Sequence, residues 1–329
     1  MELSDRAGLK ARARELLSAT DYSHRSLVLL HTGGNLTVNL TLSILLYAIG
    51  SQMEGTGGLA GMQTRAIWST LQTILFYAVP LILLLWQASY YRVAIGFARG
   101  ERVQPNALLS GFRHPLSVLG CNAWPGLQYM ARAILCTIAA SIIISFTPFV
   151  EPIAQIVEQL PTELVDGQVM MVVSDEVTAQ LVPYMTPILV VFALLFIPSA
   201  LRLFCRYRLA MYLLMDGNVR SCLTALRMSR WKMFGRKLKL FCLDLSFWWY
   251  YLLQGVALAV CYLQFWLPYL GITLPISGYT AGVAVYLLYA LVQLGVDLAA
   301  KNYVTTTYAL AYDAILEATE GGNDHGSQM

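Results

Sequence analysis

PYMTPILVVFALLFIPSALRLFCRYR, residues 183–208, is the stretch on which the fold turns. Residues 183–201 carry no charge, and Arg202, Arg206 and Arg208 follow at once. A hydrocarbon core of about 30 Å is crossed by about 20 mostly apolar helical residues. The run therefore predicts a membrane-spanning helix whose end is marked by arginines. The rest of the chain agrees. Its 329 residues are 57% hydrophobic and only 12% charged, where a soluble domain carries about 25% charge, and its mean hydropathy is +0.58. Soluble globular, fibrous and disordered classes are excluded on these grounds.

Working outward, six stretches have the length and apolarity of spans: 26–49, 67–90, 123–149, 183–201, 240–269 and 279–300. Basic residues orient them, because cytoplasmic connections collect Lys and Arg. Arg6, Lys10, Arg12, Arg14 and Arg25 precede the first span, and Arg92, Arg99, Arg102 and Arg113 follow the second. The connection after the fourth holds ten, from Arg202 to Lys239, and Lys301 follows the sixth. Only Arg65 falls on the opposite side, and Arg132 lies inside span three. Glu54, Glu151, Glu158, Glu163, Asp166, Asp175 and Glu176 all fall outside. The expectation is an all-α, polytopic integral membrane protein forming one domain over 1–329, with both termini cytoplasmic. The polar, acid-containing N-terminal segment is not expected to be a cleaved signal peptide. The outer segment 150–182 has no Lys or Arg; Ile153, Ile156, Val157 and Leu160 have helical spacing, so an interfacial helix pair is expected there.

The segment from Tyr91, YRVAIGFARGERVQPNALLSGF, echoes the one from Tyr207, YRLAMYLLMDGNVRSCLTALRM. A looser echo, NYVTTTYALAYDAIL, closes the sixth span. A short interfacial helix followed by an out-and-back pair of spans, used three times in parallel, accounts for this. Convergent interfacial composition accounts for it equally, and both readings stand at this point. The N-terminal Leu-Lys-x-x-Ala-Arg-x-x-Leu helix, YRLAMYLLMDG, the basic helix with Ser229, LDLSFWWYYLL, LPYL and TTYALAYDAIL occur in one order along the chain. That order resembles the bacterial integral membrane proteins catalogued as domain of unknown function 975. The resemblance implies six spans and residence in the bacterial plasma (inner) membrane; the family supplies no activity.

Chemistry is thin. The histidines His24, His31, His114 and His325 show no metal-ligand spacing, and neither GxSxG nor GxxxxGK[ST] occurs. The six cysteines make no CxxC. No cofactor or metal is expected. Ionisable residues inside spans are the better pointer, because each costs about 2.5–3.5 kcal/mol at mid-membrane on an insertion scale. These are Arg132, Asp244 and Asp297, with His31 at a similar depth in span one. Arg132 snorkelling towards one aspartate reads either as a helix–helix lock or as a cytoplasm-facing polar crevice. Asn35, Asn39, Gln254, Gln264 and Gln293 read as interhelical hydrogen-bonding groups.

Two amphipathic stretches adjoin the membrane. Val219, Cys222, Leu223, Leu226, Met233 and Phe234 share one helical arc, with Arg220, Arg227, Arg230 and Lys232 around it. Leu9, Ala13, Leu16 and Leu17 form a weaker stripe beside Lys10 and Arg14. Such helices rest on anionic lipid headgroups. Nucleic acid is not an expected partner, since no reading fold accompanies the charge. The leading expectation is a non-enzymatic protein that binds lipid or a membrane protein partner through these basic helices and the crevice. A small transporter or exporter accessory, with a path through Arg132, Asp244 and Asp297, is the alternative. An intramembrane enzyme ranks third.

Overall fold

The computed structural model describes residues 3, 5–19, 23–54, 58–147, 151, 155, 162–165, 168–171, 175–263 and 279–324. Helices account for nearly all of them. Helix α1 (Arg6–Ala19) precedes two long helices, α2 (Ser23–Glu54) and α3 (Gly58–Ala98). A 3-10 helix (Pro105–Arg113) leads into α4 (Pro115–Ser145). Then come α5 (Asp175–Tyr207), α6 (Ala210–Met215), α7 (Cys222–Lys232), α8 (Lys237–Leu245) and α9 (Trp248–Cys261). The last are α10 (Tyr279–Val296), a π turn (Asp297–Lys301) and α11 (Asn302–Asp324). Five stretches are long and apolar enough to cross a membrane: His24–Ile49, Arg65–Ala98, Pro115–Ser145, Thr186–Met215 and Gly282–Thr319.

Two expectations are corrected. Stretch 240–269 is not one continuous helix: its described part breaks at Ser246 and Phe247 between α8 and α9. At 14 residues, α9 rises only about 21 Å. Phe247 is fully buried, so the break is held by packing. In the outer segment, Thr162–Val165 (β1) and Gln168–Met171 (β2) form an antiparallel hairpin, with Thr162 opposite Met171, where a helix was expected. Strict helical spacing ends at Pro161, and a short apolar run around Gly167 suits either period. Most of 152–160, with Ile153, Ile156, Val157 and Leu160, lies outside the described residues, as does 264–278.

The chain divides into two units, Met1–Cys121 with Arg208–Met329, and Asn122–Tyr207. In the first, Leu27, Val28, Tyr90, Val93, Phe97 and Leu108 form a buried cluster joining α2, α3 and the 3-10 helix. The 3-10 helix is pinned at Gly111, whose N–H donates to Ser89 Oγ at 2.9 Å. A Cβ there would lie 2.2 Å from the Leu85 carbonyl oxygen, so only glycine fits. Helix α1 does not lie free: Leu9 and Ala13 are buried and pack towards α11. In the second unit Phe192 and Phe196 stack along α5, and Gln128 Nε2 donates to Tyr207 OH at 3.2 Å.

Candidate functional site

Where α10 meets α11, the π turn widens the helix by one residue and carries Asp297 and Lys301 inward together. Their side chains are 4% and 10% exposed and lie 2.9 Å apart. Asp297 Oδ2 also accepts from Thr32 Oγ1 at 2.7 Å, while Oδ1 accepts from Gln254 and Gln293 Nε2 at 3.0 and 3.1 Å. Lys301 Nζ spends its other protons on Thr32 Oγ1 at 3.0 Å and His31 Nδ1 at 3.1 Å. An ammonium only donates, so Nδ1 accepts and the imidazole is the neutral Nε2–H tautomer. Nε2 itself is buried with no hydrogen-bond partner among the described residues. The ring is clamped between Trp86, stacked at 5.8 Å, and Tyr90 at 4.5 Å.

Beside this pair lies a cavity of about 470 Å³ bounded by α2, α3, α9 and α10. The Asp297–Lys301 pair forms its floor, and Asn35, Asn39, Gln254 and Gln293 stand on its walls. From Thr32 to Ser43, both lining residues, α2 rises about 16 Å, so polar groups continue far along the helix. Tyr286 and Tyr289 carry the lining along α10. The formal charges of the lining, one aspartate and one lysine, cancel.

Two further ionic clusters sit in the same unit. Asp244 pairs with Arg208 and accepts from Tyr308 OH at 2.5 Å, which in turn lies 3.0 Å from Tyr251 OH. The Arg208 guanidinium also stands over the Tyr308 ring at 4.2 Å. Arg99 grips Asp216 with both Nη atoms, at 2.6 and 2.9 Å, and Asp313 Oδ1 at 2.9 Å. Hydrogen bonds to Asp216 first, and Asp313 next, raise the Arg99 pKa further above its ordinary value. Arg99 and Asp216 are the first residues beyond α3 and α6, and Gly100 and Gly217, both at positive φ, turn the chain away directly after them.

Of the residues singled out from sequence, His31 and Asp297 come together in the floor network. Asp244 takes Arg208 as its cation. Arg132 Nη1 donates to Ser199 O at 2.6 Å and contacts Ser199 Oγ at 3.4 Å, both in its own unit. Arg220, Arg227 and Arg230 are exposed, while Lys232 is buried at 6% exposure, so it does not offer its ammonium to a lipid surface. Within the arc read on α7, Leu226 and Met233 are buried, whereas Leu223 and Phe234 are 64% and 83% exposed. Sequence reasoning missed Lys301 and Arg208 as buried partners, having read both as interfacial positive charge. The available signal for Lys301 was its i,i+4 spacing from Asp297.

Among the described residues, no group of three or more His, Cys, Asp or Glu could hold a metal ion. No family model, curated protein or solved structure matches the chain.

Proposed function

We propose that this is a non-enzymatic membrane protein that binds a small neutral or zwitterionic solute in the cavity above Asp297 and Lys301, in the manner of a small transporter. The observation that carries this reading is a polar, charge-balanced cavity of about 470 Å³ among helices otherwise fit for lipid. Amide and phenol walls inside a span are tolerated when they face water or a polar ligand. An internally neutral floor favours a solute without net charge. His31, the nearest base, accepts from Lys301 and is absent from the lining, which favours binding over acid–base chemistry.

The accompanying topology is six crossings in a bacterial inner membrane, with the arginine-rich ends cytoplasmic and three hairpins as the repeat. Membership of the domain of unknown function 975 family is part of the proposal and rests on the quoted motifs. A second reading is supported by α7: Arg220, Arg227 and Arg230 are exposed next to exposed Leu223, Trp231 and Phe234. Those residues suit contact with anionic lipid.

The test is thermal stabilisation of the purified full chain by panels of polyols, amino acids, organic cations and organic anions. Neutral or zwitterionic compounds should raise the melting temperature, and Gln293→Leu should abolish the rise. If only charged solutes stabilise, or if Gln293→Leu responds like the parent, the reading is wrong.

A further inference from the structure

Behind the C-terminal end of α3 lies a second cavity, of about 270 Å³, remote in chemistry from the charge-balanced one. Arg92, Arg102 and Arg113 line it with Gln104, Asn106 and a single carboxylate, Glu101. Glu101 is already engaged, its Oε2 standing 3.4 Å from Arg92 Nη2. Arg102 and Arg113 are exposed and have no ion-pair partner among the described residues. Three guanidinia against one carboxylate leave an excess of two positive charges in the lining.

The walls are preformed. Gly100, at φ 69°, turns the chain out of α3, and the Glu101 N–H donates back to Gly96 O at 2.9 Å. Val103 folds over Gly96 so closely that a Cβ there would lie 2.5 Å from its Cγ2. The 3-10 helix bearing Arg113 is pinned to α3 through Gly111 and Ser89. Arg92 is held in place by Glu101 and, at 3.8 Å, by Asp216. Guanidinium forks on a fixed frame match the oxygens of a phosphate. The volume equals that of about nine waters at ~30 Å³ each, enough for a phosphate with a small polar substituent.

We propose that this pocket binds a phosphate group, Arg102 and Arg113 supplying the uncompensated charge and Arg92 the fixed back wall. The proposal is independent of the solute reading. Two sources share this chemistry, a phospholipid headgroup and a soluble phosphate ester. Leu109 and Phe112, three residues apart and so on one face of the 3-10 helix, are 53% and 38% exposed, and Leu116 is 83% exposed. These apolar neighbours would seat the pocket at headgroup depth if a lipid is the ligand.

Calorimetric titration of the full chain in neutral detergent tests it, with inorganic phosphate, glycerol phosphate, dihexanoylphosphatidylglycerol and dihexanoylphosphatidylcholine as probes. At least one anionic phosphate should bind saturably, and Arg102→Gln/Arg113→Gln should weaken it at least tenfold. Arg65→Gln/Lys239→Gln, exposed basic residues outside the pocket and outside the lipid-facing set on α7, should change it less than twofold. Glycerol phosphate binding as tightly as the lipid identifies a soluble ester; saturation by the anionic lipid alone identifies a headgroup. Absence of saturable binding, or equal loss in both double variants, overturns the proposal. Both variants alter exposed side chains, and an unchanged melting temperature checks that folding is intact.

Discussion

Asp297 holds three neutral hydrogen-bond donors and one ammonium, and both charged side chains are largely buried. Removing one member strands the other, which costs about 3–5 kcal/mol for a buried pair, while replacing both with apolar groups can be nearly neutral. Asp297→Asn and Lys301→Met should therefore each destabilise by about 3 kcal/mol or more, and the double variant should recover most of the loss. Thermal unfolding in detergent measures this cycle. Additive losses would mean that the two residues are not coupled. At this scale the sequence exposed the anion but not its cation. Asp297 stood out because carboxylates inside spans are costly, whereas Lys301 was assigned to the interface because the helix was expected to stop at Ala300. The continuation of the helix through a π turn was hidden because an inserted residue turns the apolar face by about 100°, so the stripes before and after Asp297–Lys301 do not read as one helix. Arg208 was hidden in the same way, one basic residue among ten.

Helix α1 shows how an interfacial pattern becomes a strap. Lys10 Nζ donates to Ser246 O at 2.9 Å and stands over the Phe247 ring at 4.3 Å, and Arg6 Nη1 donates to Cys242 O at 3.4 Å. Both cations thus bind carbonyls at the end of α8, where the helix dipole is negative, the Cys242 carbonyl also accepting the Ser246 N–H at 3.3 Å. Burial lowers the Lys10 pKa, with Arg14 and Arg6 adding in the same direction. Lys10→Ala should cost about 1 kcal/mol, the scale of one hydrogen bond, and should speed maleimide labelling of Cys242 several-fold, with Lys10→Arg restoring both. Leu9→Ala, at a fully buried position, should cost about 2–5 kcal/mol. Labelling that is unchanged in Lys10→Ala would sever the link between strap and break. The stripe of Leu9 and Ala13 was legible in the sequence; its docking on protein rather than lipid was not, because an amphipathic face has the same spacing for either partner. The break itself was invisible for a related reason. Apart from Asp244 and Ser246, LDLSFWWYYLL is aliphatic or aromatic and carries no Gly or Pro, so it is the tertiary burial of Phe247 that decides where the helix interrupts.

For the whole molecule, the proposed sixth crossing draws its support from which ends meet. Asn302 Nδ2 donates to His24 O at 2.7 Å, so the start of α2 and the junction where α10 passes through the π turn into α11 lie at one level. Arg99, at the end of α3, reaches Asp216 beyond α6 and Asp313 in α11, so these too share that end. Asp216 therefore leaves from the same end to which α10 returns. A chain that departs from one face and later re-enters from the other has crossed in between, and residues 217–281 contain α8 and α9. This parity argument supports a sixth crossing even though α9 rises only about 21 Å and only five long apolar helices are counted. It also gives weight to the threefold echo, because Arg99, Asp216 and Asp313 lie nine, ten and eleven residues into the three segments, counted from Tyr91, Tyr207 and Tyr303, and converge in one ion cluster. Single cysteines in a cysteine-free background, probed with a membrane-impermeant maleimide in intact cells, test the count. Cysteines replacing Arg12, Arg227 and Glu317 should be protected, and those replacing Gln63 and Gly282 should label. Labelling at Glu317 with protection at Arg12 would put the two ends of the chain on opposite faces, give an odd number of crossings and exclude six.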